Sequence, residues 1–566
     1  MWGSTASETG NAEDAAERIG RQLRRRHFRT RTVAMDAFDI PNLFDENLVL
    51  FVCSTTGNGA EPHNMTAFWN ALLRADLPAD LLDHLDIAVF GIGDSSYERF
   101  CWASKKLHRR LLALGAHQIL DRADADEQHY LGVNGTLDTW LKSLGTALDE
   151  LYPLPPHLSI LPDASTPNLD SNFCLFKAPA CLGSMRRITH PDWFQDVRHI
   201  EFDVLDDISI NQIRTGDVAV LFPANDPADV NYFISRQNWE SIADNVYEIR
   251  NVDRDRPVPQ HIPIHLTLRE LITQYLDIAA VPRLSFFEFC KNFADDARER
   301  ERLEEFCSPE GQDDLFDYCQ RPRRTILEVL AEFKSVKIPL DYVLDVFSVI
   351  RPRKFSIASA LKAHPGKIQL CVAIVRYRSL SLRVPRKGLC SNWLTRLRPG
   401  DEVEIGLERG TLAVPEDNLK PVVLIGPGTG IAPMRAILEH RVAMRARDNL
   451  LYLGCRSIKA DFHYHDEMAK YADAKYLSWR VAASRDQDHK VYVQDEIARD
   501  STLLHEYVYN RGGSVYISGS SNKMPAAVRK AIEGVLQKTN DWTDIQAKEY
   551  ILQMEREGRW SEETWA

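Results

Sequence analysis

The chain has 566 residues, 44% of them hydrophobic and 27% charged, with a formal net charge of −12 and an isoelectric point of about 5.8. That length exceeds one core and implies roughly three or four domains, while the acidic balance excludes a nucleic-acid footprint. No run approaches the ~20 apolar residues of a membrane helix, no signal-peptide core opens the chain, and the Cys residues show no paired C-x-x-C spacing, which excludes a zinc or disulfide scaffold and points to the cytoplasm.

In chain order, Ser7-Glu8-Thr9-Gly10-Asn11-Ala12 is a hydroxyl-rich loop ahead of an amphipathic helix expected over 11–26. The run Arg24-Arg25-Arg26 complements that helix's C-terminus. Hydroxyls and free first-turn N–H groups suit a phosphate monoester, although any one of them would serve as an N-cap. Buried strands at Leu48–Cys53 and Ile87–Phe90 end in two polar loops, Ser54-Thr55-Thr56-Gly57-Asn58-Gly59 and Gly91-Ile92-Gly93-Asp94-Ser95-Ser96-Tyr97. Strands alternating with helices imply a parallel doubly wound sheet with ligands at the strands' C-terminal ends. The three loops suit a phosphate and a flat ring on which Tyr97 stacks. Only Met1–Ala6 precede Ser7, and they lack a Val/Ile/Leu run, so the first strand is expected to be truncated and the site weakened. More than half of the net negative charge lies in residues 1–152, a surface for a basic partner or simply a solvated one.

Residues 152–170 are a proline-rich linker. Residues 183–222 have β character, 226–345 are mostly helical, and 346–415 return to short strands carrying Arg353-Lys354-Phe355-Ser356 and Gly388-Leu389-Cys390-Ser391. Val422–Ile425 runs into Gly426-Pro427-Gly428-Thr429-Gly430 and a helix, where the N–H groups of Gly428 and Thr429 suit a pyrophosphate. Ser484, Arg485, Lys490 and Tyr492, followed by Gln494, supply cations and hydroxyls for a 2′-phosphate, hence NADPH, where NAD would require an acidic residue. His463 and His465 lack a third ligand cluster, so no metal is expected.

Together these strings resemble the cytochrome P450 reductase-like diflavin reductases. The first loop has their S-x-T-G-x-A form, Arg353–Ser356 their R-x-aromatic-S form, and Gly388–Ser391 their G-x-x-[ST] form. The resemblance implies a flavodoxin-like FMN domain over 1–151 and a linker over 152–170. An antiparallel FAD-binding β-barrel over 171–415 follows, with a helical insertion at about 226–345, and then a Rossmann-like NADPH domain over 416–566. It also implies that Asp126 lies near the second flavin edge. Arg353, Phe355 and the 388–391 loop would hold FAD, and Ser356, Ser518, Glu563 and Trp565 would surround the hydride-transfer site. Ser518 stands where the family commonly has Cys. Electrons would pass from NADPH to FAD, to FMN, to an acceptor protein. The strings Ile350–Ser359, Asp126–His129 and Glu563–Ala566 look most like the cytosolic members that reduce the iron–sulfur protein anamorsin in iron–sulfur cluster assembly. Alternatives are a soluble P450 reductase-like enzyme or, if the first domain does not hold FMN, an FAD-only NADPH diaphorase or a non-catalytic interaction protein.

Overall fold

The short N-terminal segment forms a strand after all. In the computed structural model Trp2–Ala6 (β1) runs parallel to Arg31–Ala34 (β2) on one side and to Leu48–Ser54 (β3) on the other. With Asp86–Gly93 (β4) and His117–Gln118 (β5) the sheet order is β2-β1-β3-β4-β5, and Ala123–Asp126 (β6) also pairs with β4. The expected truncation fails for a physical reason. Backbone pairing on both edges seats β1, and the apolar walls come from its neighbours, since β3 is buried at every position and Ala6 is fully buried. The structure describes residues 2–6, 10–37, 43, 46–56, 59–97, 99–155, 158, 160, 177–205, 212–249, 261–378, 385–415, 417–521 and 523–565.

Helices cover both faces of this sheet. Asn11–Arg25 (α1) packs Ala12, Ile19 and Leu23 against Leu50, Val52 and Phe90, with Trp140 of Asn134–Leu151 completing that layer. On the other face lie Phe68, Leu107 and Leu111. The arginine run ends α1 and is spent within the fold, Arg24 on Thr30 and Arg26 on Asp149. Residues Ala224–Arg351, the helical insertion, belong to the same compact unit as this sheet. Charge pairs stitch the two together: Arg18, also held by Asp138 at 2.9 Å within the first layer, meets Glu288 at 3.7 Å, Arg21 meets Glu288 at 2.9 Å, and Arg351 pairs with Glu13.

The second unit holds a six-stranded antiparallel barrel sheet and a five-stranded parallel sheet. The barrel strands are Lys177–Arg187 (β7), Val197–Val204 (β8), Val218–Leu221 (β9), Arg353–Ser356 (β10), Lys367–Ala373 (β11) and Glu402–Glu408 (β12), in the order β10-β9-β12-β7-β8-β11. The parallel strands are Val422–Ile425 (β13), Asn449–Cys455 (β14), Ser478–Ala483 (β15), Ser514–Ser520 (β16) and Trp560–Trp565 (β17), in the order β15-β14-β13-β16-β17. Arg435, on the helix Ile431–Ala443 (labelled α2), locks the two sheets together. Its buried guanidinium pairs with Glu467 at 2.6 Å and Glu439 at 2.7 Å. It also donates to the Ala358 carbonyl at 2.6 Å and to Gln369 at 2.8 Å. A charge this deep is tolerated because its hydrogen bonds are met.

Candidate active site

In the first unit β1, β3 and β4 are adjacent and parallel, so their C-terminal ends at Ala6, Ser54 and Gly93 lie along one edge of the sheet. Ser7, Glu8, Thr9, Gly57 and Asn58 lie outside the described residues. Gly10 caps α1 with φ +91, a backbone conformation that favours glycine, and lies against the Arg351 guanidinium. Asn11 donates to Glu127 at 2.6 Å, and Ala12 is buried under the sheet. The hydroxyls of the second loop are committed locally. Ser54 donates to the Ala6 carbonyl at 3.0 Å, Thr55 accepts from the Ala103 N–H at 3.2 Å, and Thr56 donates to the Ala60 carbonyl at 3.3 Å. These bonds shape the loop, and the Thr55 and Thr56 N–H groups are committed too, donating to the Ile92 and Ala60 carbonyls at 2.9 and 3.0 Å.

The third loop is held by carboxylates. Asp94 accepts from the Ser96 N–H and hydroxyl and from the Gln128 amide. Asp126 accepts from the Ser95 N–H at 2.9 Å and the Gln128 N–H at 3.0 Å. Burial opposes charge on Asp126, but these hydrogen bonds outweigh it and hold its carboxyl below the usual range. Burial pushes the neighbouring Glu127 up, helped by Asp94 and Asp126. Gly91 and Gly93 are packing positions. A Cβ on Gly91 would stand 2.3 Å from the Ser104 hydroxyl, and one on Gly93 would stand 2.8 Å from the Cys101 N–H. Tyr97 is half-buried on the loop. Sequence reasoning missed Tyr130, which is 57% exposed and packs at a tilt against His129 beyond β6. The aromatic that follows Asp126-Glu127-Gln128-His129 was the available signal.

In the second unit, β10 places Arg353 and Phe355 on one face and Ser356 on the other. Phe355 packs on the barrel core. Gly388 caps the helix Leu389–Arg396 (labelled α3), whose first-turn N–H groups are those of Leu389, Cys390 and Ser391. Cys390 faces the core, its thiol pushed up to about 12 by burial despite Arg353. Ser391 accepts from the Val375 N–H at 3.1 Å, bracing the loop.

Ser356, Glu563 and Ser518 converge from different strands. Ser356 donates to the Glu563 carboxylate. Glu563 on β17 sits in register with Ser518 on β16. Burial pushes the Glu563 carboxyl up, and Glu408 adds to this against the Ser356 hydrogen bond. The Ser518 hydroxyl is fully buried and has no hydrogen-bond partner among the described residues. An orphaned hydroxyl beside a carboxyl fits a site built to meet a ligand's polar edge. Trp565 ends β17, 38% exposed, its carbonyl accepting from the Ser521 N–H at 2.8 Å.

The glycine loop lies next to this cluster. A Cβ on Gly430 would stand 2.1 Å from the Ser518 carbonyl oxygen, so the loop is seated directly on β16. Gly428 has φ +59 and open space beyond it, with Thr429 half-buried beside it, leaving backbone free for a pyrophosphate. At the ends of β14 and β15 the Ser484 N–H donates to the Cys455 carbonyl and the Arg485 N–H donates to that of Arg456. Arg485, Lys490 and Tyr492 are exposed and Gln494 is half-buried. Asp461 accepts from the N–H groups of Arg456 and Ser457. His463 is buried, with its ring pushed down to about 4, while His465 is exposed against Asp466.

Three family profiles match the chain in order: flavodoxin over residues 5–146, FAD binding domain over 176–393 and oxidoreductase NAD-binding domain over 424–530. NADPH-dependent diflavin oxidoreductase 1 of Danio rerio is 41% identical over 589 residues, covering 99% of this chain and 98% of the relative. The proteins of that name from Xenopus laevis and Schizosaccharomyces pombe are 39% and 38% identical with the same coverage. The chain belongs to the NADPH-dependent diflavin oxidoreductases. As a diflavin oxidoreductase it uses NADPH, FAD and FMN, and passes electrons from NADPH through FAD to FMN and on to an acceptor protein. No helix among the described residues is long and apolar enough to cross a membrane.

Proposed function

We propose that this diflavin oxidoreductase works in the cytosol and that its acceptor is an iron–sulfur protein of the anamorsin type, within iron–sulfur cluster assembly. The flavins supply the redox chemistry when bound, taking hydride from NADPH and releasing single electrons, and the chain binds, orients and shields them. The first loop (7–12), the loops after β3 and β4, and Asp126 frame FMN, with Tyr97 and Tyr130 as candidate ring walls. Arg353 and the first turn of α3 take the FAD pyrophosphate, and Phe355 takes the ring face. Gly428 and Thr429 take the NADPH pyrophosphate, while Ser484, Arg485, Lys490, Tyr492 and Gln494 take its adenosine 2′-phosphate.

The observation that carries the hydride half of this reading is the meeting of Ser356, Glu563 and Ser518 beside the glycine loop. Glu563 fixes the Ser356 hydroxyl and holds a proton more readily than an ordinary carboxyl. Trp565, exposed at the end of β17, would cover the FAD ring when the flavin is bound. The acidic excess of residues 1–152 supports a docking face for a basic patch on the acceptor. The FAD-only alternative rested on a missing strand, and β1 is present.

The test is NADPH-driven reduction of a purified anamorsin-type [2Fe–2S] protein by the flavin-loaded enzyme. Saturable reduction that slows with rising salt supports the assignment. Reduction no faster than that by free flavins and NADPH rejects it.

A further inference from the structure

Arg456 and Arg485 end neighbouring parallel strands, and the Arg485 N–H donates to the Arg456 carbonyl at 2.8 Å. Two guanidiniums so placed repel each other. Neither has a carboxylate within ion-pair distance among the described residues, so charge pairing does not hold them. An aromatic ring does. Phe194, in the turn between β7 and β8, has the Arg456 guanidinium carbon 5.0 Å from its ring centroid and that of Arg485 at 5.7 Å. Phe194 is 67% exposed, so core packing does not account for it.

The turn that presents this ring is built to hold it. The His190 N–H donates to the Ala460 carbonyl at 2.8 Å, Arg187 donates to the Trp193 carbonyl at 2.8 Å, and Arg456 itself donates to the Gln195 side chain. Asp461 accepts from the Arg456 N–H at 3.2 Å. The barrel therefore reaches across to the parallel sheet and sets an electron-rich ring face against two arginines that have no acid of their own.

We propose that Phe194 is a positioning residue for NADPH selectivity. Its ring gathers Arg456 and Arg485 into one guanidinium pair directed at the 2′-phosphate of the adenosine, which makes Arg456 a second phosphate ligand beside Arg485. This rests on the assignment of Ser484, Arg485 and Lys490 to that phosphate. The ring does not touch the phosphate. It lowers the cost of holding two cations together before the nucleotide arrives, which is preorganisation.

The experiment measures binding of adenosine 2′,5′-bisphosphate and of adenosine 5′-monophosphate to the full-length, flavin-loaded enzyme by calorimetry, alongside KM and kcat for NADPH. Phe194→Ala and Phe194→Leu should weaken the bisphosphate roughly five- to tenfold, with less than about twofold change for the monophosphate, and should raise the NADPH KM rather than lower kcat. Phe194→Tyr, which keeps the ring face, should restore both. Phe194→Leu keeps apolar bulk, so a wild-type value for it would overturn the proposal, as would equal weakening of both ligands, which marks an adenine stacker or a scaffold. Arg485→Ala separates the two levels. If it weakens the bisphosphate while Phe194→Ala does not, the positioning role alone fails. If neither variant changes the bisphosphate, the 2′-phosphate assignment fails and the proposal falls with it.

Discussion

Replacing Ser4 by Pro tests whether the polar Trp2–Ala6 segment supports the FMN site. Ser4 lies mid-strand, paired with Val33 on one side and Phe51 on the other. Proline removes one ladder donor and places its ring inside a sheet paired on both edges. A buried carbonyl left without its donor costs ~1–3 kcal/mol, and the steric misfit adds to this, for a total of at least about 3 kcal/mol. Ala6 ends this strand at the sheet edge proposed to hold FMN, so a cost of that size borne by the FMN-competent state lowers FMN affinity more than about a hundredfold. FAD should stay, because its residues lie in the other unit. The assay is flavin content after gel filtration, with NADPH-driven reduction of cytochrome c and of ferricyanide. The expected result is FMN loss, retained FAD, collapsed cytochrome c reduction and persistent ferricyanide reduction. Stoichiometric FMN and wild-type cytochrome c reduction in Ser4→Pro would refute the argument that β1 supports the site.

Arg485→Ala should lower NADPH kcat/KM about tenfold, the lower end for a charge-assisted hydrogen bond because the residue is exposed, and leave NADH turnover unchanged; equal losses with both nucleotides would contradict the assignment. Glu563 binds its proton more tightly folded than unfolded, so the wild-type enzyme loses stability as pH rises from the ordinary carboxyl value of 4.5 toward the raised folded value. Glu563→Gln should flatten that part of a denaturation series and slow flavin reduction in stopped flow; an unchanged pH profile would remove the raised carboxyl from the account. Gly430→Ala puts a methyl 2.1 Å from the Ser518 carbonyl oxygen, which backbone cannot yield to, and should cost about 2–3 kcal/mol and abolish NADPH turnover; a melting temperature within error of wild type would refute the seating of the loop on β16.

The strands at Leu48–Ser54 and Asp86–Gly93 were legible because parallel strands buried on both faces read as apolar runs. The glycine loop was legible because its backbone demands few residue types. Trp2–Ala6 was not, since its sequence lacks an apolar run and its pairing with β2 and β3 is a backbone matter that residue types do not announce. The grouping of Ala224–Arg351 with the first sheet was equally hidden. It rests on pairs such as Arg21 with Glu288, which are distant in sequence and follow no period. Gly91 and Gly93 read as ligand-facing because they end a strand, yet the space that forbids a side chain there is filled by Ser104 and Cys101. Phe194 gave no signal at all, because its meaning depends on two arginines more than 250 positions away.

Anaerobic titration of the purified, flavin-loaded enzyme with NADPH tests the central claim most directly. The account predicts one FMN and one FAD per chain and bleaching of both flavins by two equivalents of NADPH, with Arg485→Ala requiring more nucleotide to reach the same end point. A chain that carries FAD alone and is fully bleached by a single equivalent would contradict it.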